Sequence, residues 1–117
     1  VVSSIALGAD SQLYNVNADQ MASACASGTG CEALIYLTDV PGVRDENGSV
    51  LRTLGKSEIL DMRARGILAG GMLPKASSCL EAVEAGVASV YILPGASPDA
   101  LANFKEGREG TKIHGNC

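Results

Sequence analysis

An α/β layered fold with a mainly parallel sheet is what this sequence predicts, and three observations lead there. Residues 33–37 (Ala-Leu-Ile-Tyr-Leu) and 90–93 (Val-Tyr-Ile-Leu) are short, continuously apolar runs, the pattern of strands covered on both faces. Segments with apolar residues at helical spacing alternate with these runs. The composition agrees: 117 residues are 46% hydrophobic but only 3% aromatic, with 14 Gly and no Trp. Ala, Val, Ile and Leu then fill one modest core while glycines shape the loops. That length holds one domain of about 100–150 residues, not two complete lobes, and the apolar content excludes disorder.

Each element follows in order. Residues 1–7 alternate weakly and meet the turn cluster Gly8-Ala9-Asp10-Ser11 before Leu13-Tyr14, which predicts a strand and a hairpin-like return. Ala18, Met21, Ala22 and Cys25 form one apolar stripe, so a helix follows, with Asn15 or Asn17 as N-cap and Gly28 as its stop. The first buried strand ends at Thr38-Asp39 and is broken by Pro41-Gly42. Val43-Arg44 and Val50-Leu51 flank Asp45-Glu46-Asn47-Gly48, whose Asn-Gly predicts a type I′ surface hairpin.

Residues 56–65 predict a short helix carrying Ile59, Leu60 and Met62, closed by Gly66 at C′. The clearest helix carries Met72, Ala76, Cys79, Leu80, Val83 and Val87, with Pro74 in its first turn and Gly86 ending it. After the second buried strand, Ser97-Pro98 starts a final helix whose apolar face is Leu101 with Phe104. A last strand is expected at residues 111–113.

Several function classes drop out. A net charge of −4 without a Lys/Arg run argues against a phosphate-tracking nucleic-acid surface. No stretch approaches the ~20 apolar residues that cross a bilayer. The start, Val1-Val2, has neither a basic region nor an initiator Met and reads as mid-protein sequence, not a signal peptide. Cys25, Cys31, Cys79 and Cys117 lie outside any CxxC pattern, and His114 has no partner at metal-ligand spacing. They are expected to be ordinary reduced cysteines and a structural histidine, with no metal site.

Three segments can carry chemistry. Gly70-Gly71-Met72-Leu73-Pro74-Lys75 puts two glycines before a helix and a lysine in its first turn, where the macrodipole disfavours a cation. An anion such as phosphate repairs that, through free amides and a point charge. A tight turn with a solvated lysine explains the pattern equally well, and the Walker A ending is missing. Asn15-Val16-Asn17-Ala18-Asp19 concentrates short polar side chains at a helix start. They serve as caps, or Asp19 orients catalytic lysines while the asparagines bind substrate. Leu37-Thr38-Asp39-Val40-Pro41-Gly42-Val43 turns at the carboxyl end of a buried strand, where open α/β sheets bind ligands, although Asp and Pro-Gly also serve as turn punctuation.

Taken in order, these segments resemble the acetylglutamate kinases of the amino acid kinase family. The resemblance covers nearly the whole chain, down to Glu109-Gly110-Thr111-Lys112-Ile113. Residues 15–19 set it apart from glutamate 5-kinase, aspartokinase and uridylate kinase. It implies a three-layer, carbamate-kinase-like α/β fold, present in part. It also implies a cytoplasmic enzyme of arginine biosynthesis that moves the γ-phosphoryl of ATP, with Mg2+, to the side-chain carboxylate of N-acetyl-L-glutamate. By position, Lys75 and Asp19 would be catalytic, and Asn15 and Asn17 would bind substrate. Thr38, Asp39, Val40, Gly42, Val43, Arg44, Ile67, Leu68, Ala69, Gly71, Met72 and Lys75 would hold the nucleotide.

The family's amino half, with a glycine-rich phosphate loop, a second lysine, most of the acetylglutamate pocket and the dimer contact, has no counterpart here. Residues 1–14 resemble the tail of that acetylglutamate-binding lobe, and 15–117 the ATP-binding lobe. The expectation is a homo-oligomeric full-length enzyme and an isolated lobe that is inactive alone, with an exposed strand edge and apolar surface. Ser97-Pro98-Asp99-Ala100-Leu101-Ala102-Asn103-Phe104 lacks the His and Glu of arginine-inhibited members, which points away from arginine feedback. The alternatives are an inactive nucleotide-binding module or another amino acid kinase.

Overall fold

A computed structural model describes residues 1–115. Strands β1 (Ile5–Leu7) and β2 (Leu13–Asn15) pair antiparallel as a hairpin separate from the main sheet. Its turn is held by the Gly8 amide on the Gln12 carbonyl at 2.8 Å, with Ser11 at φ 64°. Ile5, Leu7, Leu13 and Tyr14 are all exposed on this hairpin.

Helix α1 (Ala18–Thr29) is capped by Asn17 and not by Asn15. It also passes the expected stop at Gly28 and closes at Gly30, which takes φ 67° and returns its amide to the Ala26 and Ser27 carbonyls. Gly28 stays helical because the left-handed residue that ends a helix comes two positions later. Strand β3 (Ala33–Thr38), helix α2 (Lys56–Ala64), helix α3 (Met72–Glu84) and strand β5 (Ser89–Pro94) fall where the periodicity puts them. Gly66 at φ 72° and Gly86 at φ 106° follow the last turns of α2 and α3.

Strand β4 (Thr53–Gly55) was not predicted. Its three residues show no alternation, and it exists through its pairing with β6 (Thr111–His114). The predicted type I′ hairpin is also corrected. Arg44 and Val50 form a single bridge. Between them one Asp45 carboxylate oxygen accepts the amides of Asn47 and Ser49 at 2.8 and 2.9 Å. A type I′ turn needs positive φ at both central residues, and among residues 45–49 only Gly48, at φ 82°, has it.

The four-stranded sheet runs β3-β5-β6-β4. β3 and β5 are parallel, β4 and β6 are parallel, and β5 and β6 meet antiparallel. One face, carrying Leu34, Tyr36, Val90 and Ile92, packs on residues of α1, α2 and α3. The other, carrying Tyr91 and Leu93, is covered by Ala100 and Phe104. The result is helix, sheet, helix, with β3 at an edge that has no further strand partner among the described residues.

Helix α4 (Pro98–Ala102) is shorter than expected. Ala100, not Leu101, faces the core, and Leu101 is 50% exposed. Phe104 sits on a following 3-10 turn and packs edge-on against Tyr91, 4.9 Å between ring centres. Ser97 does not cap the helix, because its hydroxyl donates to Glu109 at 2.8 Å. Cys25, Cys31 and Cys79 carry free thiols; Cys117 lies outside the described residues. No helix among them is long and apolar enough to cross a membrane.

Candidate functional site

The sequence places Asp19 and Lys75 fifty-six residues apart, each in the first turn of a helix. Packing α1 on α3 beneath the sheet brings the two side chains together. The Lys75 ammonium donates to both Asp19 carboxylate oxygens at 2.8 Å. Their side chains are 18% and 24% exposed, so the pair is shielded from solvent on most sides. A carboxylate suits the positive start of α1, while the lysine is held at the positive start of α3 by that partner.

Tyr36 of β3 completes the cluster. Its hydroxyl donates to the Asp19 backbone carbonyl at 2.9 Å, and the ammonium lies 4.9 Å from its ring centre. Burial raises the Tyr36 phenol pKa, helped by the neighbouring Cys79, Asp19 and Glu81, so the hydroxyl remains a donor. Cys79, one turn beyond Lys75, is fully buried, and burial pushes its thiol up to about 12 against the opposing pull of Lys75. It is a core residue, not a nucleophile.

From this pair a groove runs along the carboxyl end of β3. A cleft of about 380 Å3 is lined by Thr38, Asp39, Val40, Ala69, Gly71, Met72 and Lys75. It adjoins a second, of about 210 Å3, lined by Val40, Gly42, Arg44, Ile67, Leu68, Ala69 and Met72. Small-molecule sites occupy about 300–1,000 Å3, so the two together have room for a nucleotide-sized ligand. The groove gathers every residue expected to hold the nucleotide except Val43. Val43 is 1% exposed and packs in the core, its amide donating to Thr111 Oγ1 at 2.9 Å, so it supports the loop from beneath.

The Pro41-Gly42 turn closes over that threonine. Gly42 has φ 148°, and a Cβ there would stand 2.8 Å from Thr111 Oγ1 and from Val50. Thr111 Oγ1 also donates to the Leu51 carbonyl at 2.6 Å, tying both ends of the 43–51 loop to β6. Gly71 differs. Its φ is −66° and a Cβ would meet nothing within 4 Å. The chain's own packing does not require glycine there, and the space lies at the start of α3 next to Lys75.

The amides of Met72 and Leu73 are committed to the Ala69 and Gly70 carbonyls at 3.2 and 3.3 Å, and Pro74 has none. Among the described residues, Gly70 and Gly71 keep amides without a chain acceptor. Of these groups Gly71 and Lys75 line the groove, so fewer amides are open at this helix start than at a full helix N-terminus.

Asn17 and Asn15 lie at the other side of Asp19. The Asn17 side-chain oxygen accepts the Asp19 and Gln20 amides at 2.9 and 3.3 Å, leaving its amide group to donate elsewhere. Asn15 ends β2 with its side chain exposed. Neither lines the groove.

A larger cleft of about 440 Å3 lies beyond the 43–51 loop, lined by Asp45, Glu46, Glu58 and Asp61 around an apolar floor. Its one cation, Arg65, is taken by Glu46 at 2.8 Å and Asp61 at 3.4 Å. Four carboxylates repel a polyanion, so this cleft, though larger, is the less suited of the two to an anionic ligand. The sequence alone did not single out Tyr36 or Thr111. Tyr36 sits inside an apolar run, where its one signal was a buried hydroxyl in need of an acceptor.

The sequence profile described as "Amino acid kinase family" matches residues 1–94. Acetylglutamate kinase of Koribacter versatilis is 53% identical over 106 residues, which are 91% of this chain and 41% of that protein. Acetylglutamate kinase of Acidobacterium capsulatum is 45% identical over 115 residues, 97% of this chain and 44% of that protein. The chain therefore spans about two-fifths of the curated relatives it matches. An N-acetylglutamate synthase structure from Neisseria gonorrhoeae, complexed with coenzyme A and L-arginine, superimposes with TM-score 0.83 at 26% identity, over 97% of this chain and 27% of that one. Carbamate kinase from Giardia lamblia bound to AMP-PNP shares the fold at TM-score 0.77 and 22% identity, over 93% of this chain and 36% of that one.

Proposed function

This chain belongs to the amino acid kinase family, and from that premise we propose that it is the nucleotide-binding lobe, with the tail of the preceding lobe, of an acetylglutamate kinase. The whole enzyme transfers the γ-phosphoryl of ATP to the side-chain carboxylate of N-acetyl-L-glutamate, a cytoplasmic step of arginine biosynthesis that yields an acyl phosphate. The observation that carries this reading is the Lys75–Asp19 pair at one end of a groove that Lys75 lines together with Gly71 at the start of α3. The likeness to acetylglutamate kinases at 45–53% identity supports the choice of substrate.

A carboxylate attacking a polyphosphate brings anions together, so catalysis is mainly positioning and charge neutralisation. Lys75 places its ammonium on the transferring phosphoryl. The Gly70 and Gly71 amides donate to the same oxygens where no Cβ intrudes. Asp19 does not touch phosphate; it holds the lysine in the one rotamer that faces the groove. Asn15 and the free amide of Asn17 lie on the acceptor side of Asp19, where they would contact acetylglutamate. Thr38, Asp39, Val40, Gly42, Arg44, Ile67, Leu68, Ala69 and Met72 receive the nucleoside end, and Val43 shapes that wall from beneath.

Among the described residues no cluster of three His, Cys, Asp or Glu forms a cation cage. Asp39 is the carboxylate lining the groove, and Mg2+ would arrive with ATP, since this ion is held largely by substrate phosphates and water. It supplies charge neutralisation of the phosphates.

Most of the acceptor site and a second phosphate-binding lysine belong to the part of the protein this chain does not span. The isolated chain therefore binds nucleotide and does not turn it over. Calorimetric titration with Mg-ATP tests this, beside Lys75→Ala and Asp39→Ala. Saturable binding is expected, weakened about tenfold by loss of Lys75, the worth of one charge-assisted phosphate contact. Binding unchanged by Lys75→Ala would overturn the assignment of the phosphate site, and acetylglutamate phosphorylation by the chain alone would overturn its inactivity.

A further inference from the structure

Tyr36 touches both members of the ion pair through two different parts of one rigid side chain. It is 5% exposed in the middle of β3, its backbone registered opposite Ile92 of β5, so the ring cannot swing away without breaking the sheet face. Its hydroxyl holds the Asp19 carbonyl at 2.9 Å, and its ring lies 4.9 Å from the Lys75 ammonium. That ammonium has three N–H groups, and Asp19 takes two of them at 2.8 Å. The ring supplies an attractive surface that needs no further hydrogen-bond acceptor, so the third donor stays available to a ligand.

A second carboxylate at this place would also hold the lysine, but it would neutralise it and repel phosphate. A leucine would bury equally well but leave the four-carbon stem free to collapse. The tyrosine does what neither can: it fixes a cation without cancelling its charge.

We infer that Tyr36 is a positioning residue for Lys75, its ring holding the ammonium over the groove and its hydroxyl keeping the first turn of α1, and so Asp19, in register with it. The inference rests on the reading of the groove as a nucleotide site for its purpose, though not for its geometry.

The test uses the chain with Tyr36→Phe and Tyr36→Leu, and two independent readouts. The first is the NMR resonance of the Lys75 ε-methylene protons, assigned by their loss in Lys75→Arg. A ring beneath the ammonium moves them upfield of their position in the urea-unfolded chain. That displacement is expected in the parent protein, kept in Tyr36→Phe and lost in Tyr36→Leu. No upfield displacement in the parent protein overturns the inference, even where a variant fails to fold.

The second readout is calorimetry with Mg-ATP and with adenosine. Re-ordering a released lysine on binding costs about fivefold in affinity, so Tyr36→Leu weakens Mg-ATP by that factor and leaves adenosine within about twofold. Tyr36→Phe recovers most of the Mg-ATP loss. Equal weakening of both ligands by Tyr36→Leu means a general packing role and overturns the inference. If the parent protein binds neither ligand, the nucleotide reading fails while the NMR result still decides whether Tyr36 positions Lys75.

Discussion

Removing Asp19 leaves the Lys75 ammonium partly buried beside a tyrosine ring with no counter-charge, and the size of that penalty follows from the geometry. Exposed ion pairs contribute about 0.2–1 kcal/mol, while losing one partner of a fully buried pair costs about 3–5 kcal/mol. With side chains 18% and 24% exposed and two 2.8 Å contacts, this pair stands between those limits. Asp19→Ala is expected to cost about 2 kcal/mol, of which about 0.5 kcal/mol is the lost carboxylate at the start of α1. At about 4 °C per kcal/mol for a domain of this size, Tm falls by about 8 °C.

The assay is a double-mutant cycle over Asp19→Ala, Lys75→Ala and the double variant, by urea and thermal denaturation. A coupling energy of about 1–1.5 kcal/mol is expected, because the double variant leaves no orphaned charge. It is only partly reduced by 0.5 M salt, since a shielded pair is screened less than a surface one. A coupling below about 0.3 kcal/mol, within ordinary additivity, would refute the view that these residues hold each other.

Three further outcomes follow from the same geometry. Gly71→Ala meets no atom within 4 Å at a helical φ of −66°, so thermal stability should be unchanged or slightly raised while Mg-ATP affinity falls; unchanged affinity would remove Gly71 from the phosphate cradle. Gly110→Ala drives a Cβ into the Ile92 carbonyl oxygen at φ 73°, and should cost about 3 kcal/mol or more through strain and backbone displacement, read by urea unfolding. Burial raises the Cys79 thiol from its ordinary value of 9 to about 12, and the Tyr36 phenol is raised as well. Both groups are neutral when protonated, so the unfolded chain loses these protons first and stability falls with rising pH from about 9 upward, by up to about 1.4 kcal/mol per pH unit for each group. Cys79→Ala should flatten that decline in denaturation curves between pH 8 and 11; an equal slope would show that Cys79 is not its source.

Local pattern alone made most of the elements legible. The continuous apolar runs became β3 and β5 because a strand with helices on both faces has no polar side to declare. The left-handed glycines after α2 and α3 lay where the periodicity ended, for only glycine takes that conformation cheaply. The glycine pair before α3 and the lysine in its first turn marked a candidate site for a similar reason: a lysine at a helix start is locally unfavourable and asks for an anionic partner, which within the chain is Asp19. Where two local signals competed, the reading slipped. Gly28 offered a stop for α1 that Gly30, two residues on, supplies instead, and Asn47-Gly48 suggested a two-residue turn while Asp45 organised a longer loop.

The sequence by itself determined which side chains are available to the candidate site and which strand end they border, because those are properties of neighbours along the chain. Only the tertiary structure decided that Asp19 finds Lys75 across fifty-six residues, that Tyr36 touches both, and that Val43 faces inward while Val40 faces the groove. Such contacts arise from how α1 and α3 pack on a common sheet face, and no periodicity within either helix encodes the distance between them. Strand β4 has the same origin: three residues with no pattern of their own become a strand because β6 offers them a ladder.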